Sequence, residues 1–245
     1  MAPFDSNMKM AELIHSNYLL LPILNRFDIQ LGFGDRTINE ICKEHGINTD
    51  FFLVIVNSFH DHEYFPEEKL LSFPLQHILD YVKKSHKYYL EIKVPQIENL
   101  IRTLKDKSGK SEIKHIELIE HFFEEYKAEL IEHIEDEENN VYPYVTSIDK
   151  AFNEGRIDKS HVSLIRKNSI RKYANAHTNV EDKLFDLKNI LIKYLPPAKD
   201  YSVSNALLIE LFRLERDLND HARIEDKILF PKVGHIEKEI LDTLT

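Results

Sequence analysis

His133-Ile134-Glu135-Asp136-Glu137-Glu138-Asn139-Asn140-Val141-Tyr142-Pro143 returns later in the chain as His221-Ala222-Arg223-Ile224-Glu225-Asp226-Lys227-Ile228-Leu229-Phe230-Pro231. Both stretches read His-x-x-x-Glu, then an apolar residue, an aromatic and a proline at the same offsets. A helix comes back to one face after four residues, so each stretch points one imidazole and one carboxylate the same way. Two such helices facing each other would aim two His and two Glu at a single point. That donor set invites a metal ion.

The surrounding sequence supplies the helices. The segment after Pro74, running through LQHILDYVKKSHKYYLEIKVPQIENLIRTLK, is apolar at helical spacing, and Pro95 should kink it. A second helix is expected from about Glu112 to Ser147 and a third from about Asp158 to Tyr194, where Pro196 and Pro197 end it. A fourth starts at Ser202 or Ser204 and reaches about Lys238. Four helices of roughly 30 to 38 residues with short links predict an up-down four-helix bundle. In that bundle His86 on the first helix and His177 on the third fall near the height of His133 and His221. At ~1.5 Å per residue the mismatches stay under about 10 Å. One layer then gathers His86, His133, His177 and His221, with Glu137 and Glu225 one turn along.

Four imidazoles and two carboxylates are costly to bury without a metal. Zinc needs only three or four ligands, whereas six donors with two carboxylates from facing helices suit a metal pair. Tyr88, Tyr89, Tyr142, Tyr173 and Phe230 make the neighbourhood aromatic. An open coordination position in such a pocket suits a small diatomic ligand.

Composition agrees with an all-α chain. Only 6 Gly and 9 Pro occur in 245 residues, and 42% of the residues are hydrophobic. The net charge of −10 argues against nucleic acid or an anionic membrane as partner. The lone Cys42 excludes an internal disulfide and a cysteine-based zinc or iron–sulfur site, and is expected to be a small buried residue. The start lacks the pattern of a signal peptide and no run of about 18 apolar residues occurs, so a cytoplasmic setting is expected.

Ahead of the bundle the sequence divides into a small helical domain over 1–65, a linker over 66–75 and the bundle over 76–240. The first helix is read over 7–25. Thr37 and Glu40 form a capping box, Gly46 stops that helix, and Thr49 or Asp50 caps the next. The pair resembles a helix-turn-helix, but its second helix is apolar and acidic where DNA reading wants basic and amide groups. Docking or dimerisation through that apolar face, as in a homodimer, is the expected use. Glu135, Asp136 and Glu138 read as a solvated face.

The stretch from His86 to Pro231 resembles the hemerythrin-like (HHE) cation-binding domain, on the doubled patterns HIEDEENNVYP and HARIEDKILFP. The segment ILNRFDIQLGFGDRTINEICKEHGINTDFFLVIVNSF resembles the short helical domain that precedes it in the RIC, or ScdA/YtfE-like, iron–sulfur cluster repair family. The resemblance implies a non-haem di-iron centre with ligands His86, His133, Glu137, His177, His221 and Glu225, the two carboxylates bridging. It implies a role in nitrosative and oxidative stress: iron–sulfur cluster repair by iron donation or NO handling, with iron–sulfur proteins as partners. Reversible O2 or NO binding, and a peroxidase- or NO-reductase-like activity, are the alternatives. Two departures stand out. Gln30-Leu31-Gly32-Phe33-Gly34 carries no cysteine where the family has a pair. Lys105-Asp106-Lys107 stands where the family has a further His. Glu181, one turn after His177, is the candidate for that seventh ligand, as hemerythrins draw two ligands from the third helix at this spacing.

Overall fold

A computed structural model describes residues 3–109, 113–176, 181–195 and 201–244. The protein is an all-α helical bundle; the described residues contain no strand. The N-terminal part holds α1 (Met10–Ser16), a 3-10 turn (Tyr18–Leu20), α2 (Leu21–Arg26), α3 (Ile38–Glu44) and α4 (Thr49–His60). The helix expected over 7–25 is broken at Asn17. Its backbone is extended, at φ −153°, and its side chain accepts the Leu19 N–H at 3.1 Å. Asparagine offers the backbone such a local alternative to the helical hydrogen bond.

The Thr37–Glu40 capping box forms as expected: Glu40 N–H donates to Thr37 Oγ1 at 3.2 Å and Thr37 N–H to Glu40 Oε2 at 2.8 Å. Gly46 follows with φ +65°, a left-handed turn that a Cβ would strain. The cap of α4 is Asn48 rather than Thr49 or Asp50, because its Oδ1 reaches the Phe51 N–H at 3.0 Å. The apolar side chains of α4, expected to dock or dimerise, lie inside the chain's own core. Phe52 and Val56 are fully buried there. Burying one such phenylalanine stabilises the fold by about 1.5–3 kcal/mol.

The range 66–75, expected as a linker, contains α5 (Glu67–Ser72) with Leu70, Phe73 and Leu75 buried. Lys232, far along the chain, donates its ammonium to the carbonyls of Leu71 at 2.6 Å and Phe73 at 2.8 Å.

Four long helical tracts follow. The first is α6 (Leu75–Tyr88), a π turn (Tyr89–Lys93) and α7 (Val94–Lys107). The second is α8 (Ile113–Asp136), a π turn (Glu137–Val141) and α9 (Tyr142–Asn153). The third is α10 (Lys159–Asn168), α11 (Ile170–Ala176) and α12 (Glu181–Tyr194). The fourth is α13 (Ser202–Ile224), a π turn (Glu225–Leu229) and α14 (Phe230–Leu244). Each tract packs on the next, and the fourth closes on the first through α13 and α7.

The three π turns share one cause. Pro95, Pro143 and Pro231 are each the second residue after the turn. Proline has no N–H to give the carbonyl four residues back, and its ring crowds that carbonyl. Widening the preceding turn to i→i+5 bonds absorbs the misfit without ending the helix. The kink expected at Pro95 therefore takes this form, and it occurs in three tracts.

The third tract departs from the continuous helix expected over 158–194. Ser169 is extended (φ −52°, ψ 135°) and α11 begins afresh at Ile170. The buried carboxylate of Glu237, on α14, accepts the Ile170 N–H at 2.7 Å and the Ser169 hydroxyl at 3.0 Å, and it takes the Tyr144 hydroxyl as well. A carboxylate from a neighbouring helix thus caps the new start.

Two apolar clusters divide the interior. One joins α1–α6 to Val141–Ile170 and Ile224–Ile240. The other fills the opposite end, from Tyr88–Leu104, Ile116–Ile134, Leu184–Leu191 and Val203–Leu218. The π turns lie between them, at the waist of the bundle.

Candidate metal centre

Each π turn begins at a functionally telling position. Glu137 and Glu225 are the first residues of their turns, with His133 and His221 one helical turn before them. In the first tract Tyr89 holds the place of the glutamate, and the imidazole comes from His86. These groups sit at one level of the bundle.

There they converge. One donor atom from each of His86, Glu137, His221 and Glu225 lies within 4.8 Å of all the others, and all four residues are buried. His86 Nε2 is 3.1 Å from His221 Nε2 and 3.2 Å from Glu137 Oε2. His221 Nε2 is 3.3 Å from Glu225 Oε2. His133 joins at the edge, its Nε2 3.4 Å from Glu137 Oε1.

Further groups hold these donors. The Glu138 carboxylate accepts from His86 Nδ1 at 3.0 Å, which turns His86 Nε2 toward the cluster. Tyr142 lies parallel to the His86 ring, 5.5 Å between centroids, and donates its hydroxyl to Glu225 Oε1 at 2.6 Å. Burial by itself favours the neutral His86 ring, yet Glu137 and Glu138 outweigh it, and without a metal its pKa is pushed up to about 9. Burial, and after it the Glu225 and Glu137 charges, push the Tyr142 phenol well above its ordinary range, so it stays a donor.

Behind the cluster stands a charged support. Tyr89 meets the His221 ring edge-on at 5.8 Å and shares its hydroxyl between the Asp217 carbonyl at 3.2 Å and Oδ1 at 3.4 Å. Asp217 pairs with Arg26 of α2 at 2.5 Å. The Arg26 guanidinium also donates to the Tyr81 hydroxyl at 3.0 Å and lies over the rings of Tyr88 and Tyr89 at 5.1 and 5.4 Å.

Of the residues the sequence singled out, the structure brings together His86, Glu137, His221 and Glu225, with His133 beside them. His177 lies outside the described residues, and the side chain of Glu181 is not described. Cys42 is buried, as expected. Sequence reasoning missed Glu138, which turns inward to His86 instead of joining a solvated face. It also missed the Tyr142 hydroxyl bond and the Arg26–Asp217 pair. Tyr142 carried a signal: the matching position in the second copy is Phe230, without a hydroxyl.

The donors fit a first-row transition metal. Imidazole nitrogen with carboxylate oxygen suits iron, and two nitrogens and two carboxylates converge here in a buried site, their donor atoms within 4.8 Å of one another. No helix among the described residues is long and apolar enough to cross a membrane.

No family model matches the chain. The chain is similar to the iron–sulfur cluster repair protein ScdA of Staphylococcus haemolyticus, 19% identical over 225 residues, which is 91% of this chain and 96% of that protein.

Proposed function

We propose that this chain is a hemerythrin-like, non-haem di-iron protein that acts in iron–sulfur cluster repair under nitrosative or oxidative stress, by donating iron or by handling NO. The observation that carries the reading is the buried convergence of His86, Glu137, His221 and Glu225. The likeness to ScdA along nearly the whole chain supports repair as the role. His86, His133, His177, His221, Glu137 and Glu225 would hold the iron, with Glu181 as the candidate seventh ligand. Bound iron would supply a redox-active centre that reacts with O2 and NO, and an ion that can be passed on. The protein residues orient the donors, exclude water and keep the Tyr142 proton in place.

The test begins with anaerobic isolation, iron analysis and an optical spectrum before and after O2 or NO. The iron-loaded chain is then mixed with an iron–sulfur protein whose cluster has been damaged by NO. The expected result is two irons per chain and recovery of the damaged cluster at the expense of bound iron. A chain that takes up only zinc would defeat the reading. Iron that never exchanges, and binds O2 reversibly, would replace repair by carriage or sensing.

A further inference from the structure

A cavity of about 200 Å³ lies between the N-terminal helices and the bundle. Its two walls differ in chemistry. Leu21, Ile23 and Phe59 make the N-terminal wall apolar. The bundle wall is charged, with Lys93 from the first tract and Arg213, Arg216, Asp217 and Asp220 from α13. Three of these charges are paired within the protein. Lys93 and Arg213 both donate to Glu210, and Asp217 holds Arg26. The other two are less committed. Arg216 is exposed and gives one N–H to the Phe59 carbonyl at 3.0 Å. Asp220 is 1% exposed. Arg223 Nη2 and His62 Nδ1 both stand 3.3 Å from its Oδ1, yet neither of its oxygens accepts a hydrogen bond among the described residues. Arg216 and Asp220 are four residues apart on α13, so they share one face, with about 5–6 Å between their Cβ atoms.

From these observations we propose that the cavity binds a free α-amino acid with an apolar side chain, its ammonium on Asp220, its carboxylate on the Arg216 guanidinium and its side chain against Leu21, Ile23 and Phe59. Sites for drug-sized ligands begin at about 300 Å³, so this one admits only a small molecule. A purely apolar occupant would leave the Asp220 carboxylate buried without a hydrogen bond, which costs binding. A simple amine would bring its charge beside Arg216, and a simple carboxylate would bring its own beside Asp220. A ligand with both charges a few ångströms apart answers each of them, and its apolar body covers the opposite wall. The site uses none of the proposed metal donors, so it stands or falls apart from the reading of the metal centre.

The experiment is equilibrium dialysis of the full chain, isolated under argon, against labelled L-leucine, with 4-methylpentanoate and isoamylamine as competitors. L-leucine should bind saturably. 4-Methylpentanoate lacks the ammonium and isoamylamine lacks the carboxylate, so each should compete about 10- to 100-fold more weakly, the worth of a hydrogen bond to a charged group. From L-alanine to L-leucine each added methylene should strengthen binding about four-fold. Arg216→Gln removes the charge that meets the carboxylate and should weaken binding about 10- to 100-fold. Leu21→Trp fills the apolar end and should abolish it. No saturable binding at millimolar L-leucine, as for a cavity that holds only water, overturns the proposal. Competition by either analogue on a par with L-leucine overturns it as well. So does binding that both variants leave unchanged, which would place the amino acid elsewhere. Should a variant fail to fold by circular dichroism, the competitor series on the wild type decides alone.

Discussion

His86 Nδ1 lies 3.0 Å from a Glu138 oxygen, and that contact fixes which nitrogen of the ring faces the metal centre. A carboxylate can only accept, so Nδ1 carries a proton, and Nε2 is the nitrogen that would give its lone pair to a bound metal. Carboxylates in this position also raise the basicity of a ligating imidazole. Glu138→Gln is expected to weaken metal binding about 10- to 100-fold. The Glu138 side chain is 34% exposed, so the urea midpoint of the metal-free chain should move little, by less than about 1 kcal/mol. Chelator competition and urea titration on the same preparation separate the two effects. Equal loss in both would mean that Glu138 serves stability alone.

Removing the metal should lower the melting temperature. The four buried donors come from three separate tracts, so a metal that binds them binds only the folded chain. Free metal at about 100 times its Kd adds about 2.7 kcal/mol. For a chain of this length that is roughly 5–10 °C. Calorimetry with and without chelator checks it, and His221→Ala should show no difference between the two conditions.

Cys42 should be inert in the native protein. Burial pushes its thiol up to about 11, against a weaker opposing hydrogen bond from Thr49. The thiolate is the reactive form, so native alkylation at pH 8 should run about 100-fold slower than in urea. The sign for stability follows from the same shift. The folded pKa is raised, so this contribution is complete below the unfolded value near 9 and is lost as pH climbs through about 11. Mass spectrometry of iodoacetamide-treated protein reads the rate directly, and fast native labelling would show that the site opens.

The sequence made the cluster legible because His-x-x-x-Glu uses the period of the helix itself. His86 and Glu137 could be placed on one level by counting residues from the turns. The π turns escaped that counting: an i→i+5 turn leaves the His–Glu spacing intact and betrays itself only by Pro143 and Pro231, six residues after each glutamate. Pro95 stands six after Tyr89 in the same way, so the third copy was written in the chain with Tyr in place of Glu. Glu138 was hidden for a related reason, because its turn toward His86 depends on the changed angular step within the π turn. The break at Ser169 was beyond local reading altogether. Its cap, Glu237, lies 67 residues away from Ile170 in sequence.

Arg26 tests how strongly the N-terminal helices are tied to the centre. Its side chain has no solvent exposure and pairs with Asp217, itself 12% exposed, at 2.5 Å. Removing one member of a buried pair strands the other as an uncompensated charge, which costs about 3–5 kcal/mol. Arg26→Met should therefore destabilise the metal-free chain by about that amount in urea. Adding Asp217→Asn to it should restore part of the loss, because the stranded charge is then gone. Asp217 also receives the Tyr89 hydroxyl, and the Tyr89 ring packs edge-on against His221. The loss of Arg26 frees Asp217 to move, and with it the ring behind a metal-binding imidazole. Metal affinity should consequently fall in Arg26→Met and recover only partly in the double variant. There the Asp217→Asn change removes the charge but does not restore the guanidinium that the four rings Phe59, Tyr81, Tyr88 and Tyr89 enclose. Stability within about 1 kcal/mol of the wild type would show that the Arg26–Asp217 pair is worth no more than a surface ion pair. Unchanged metal affinity would show that Tyr89 keeps His221 in place without it.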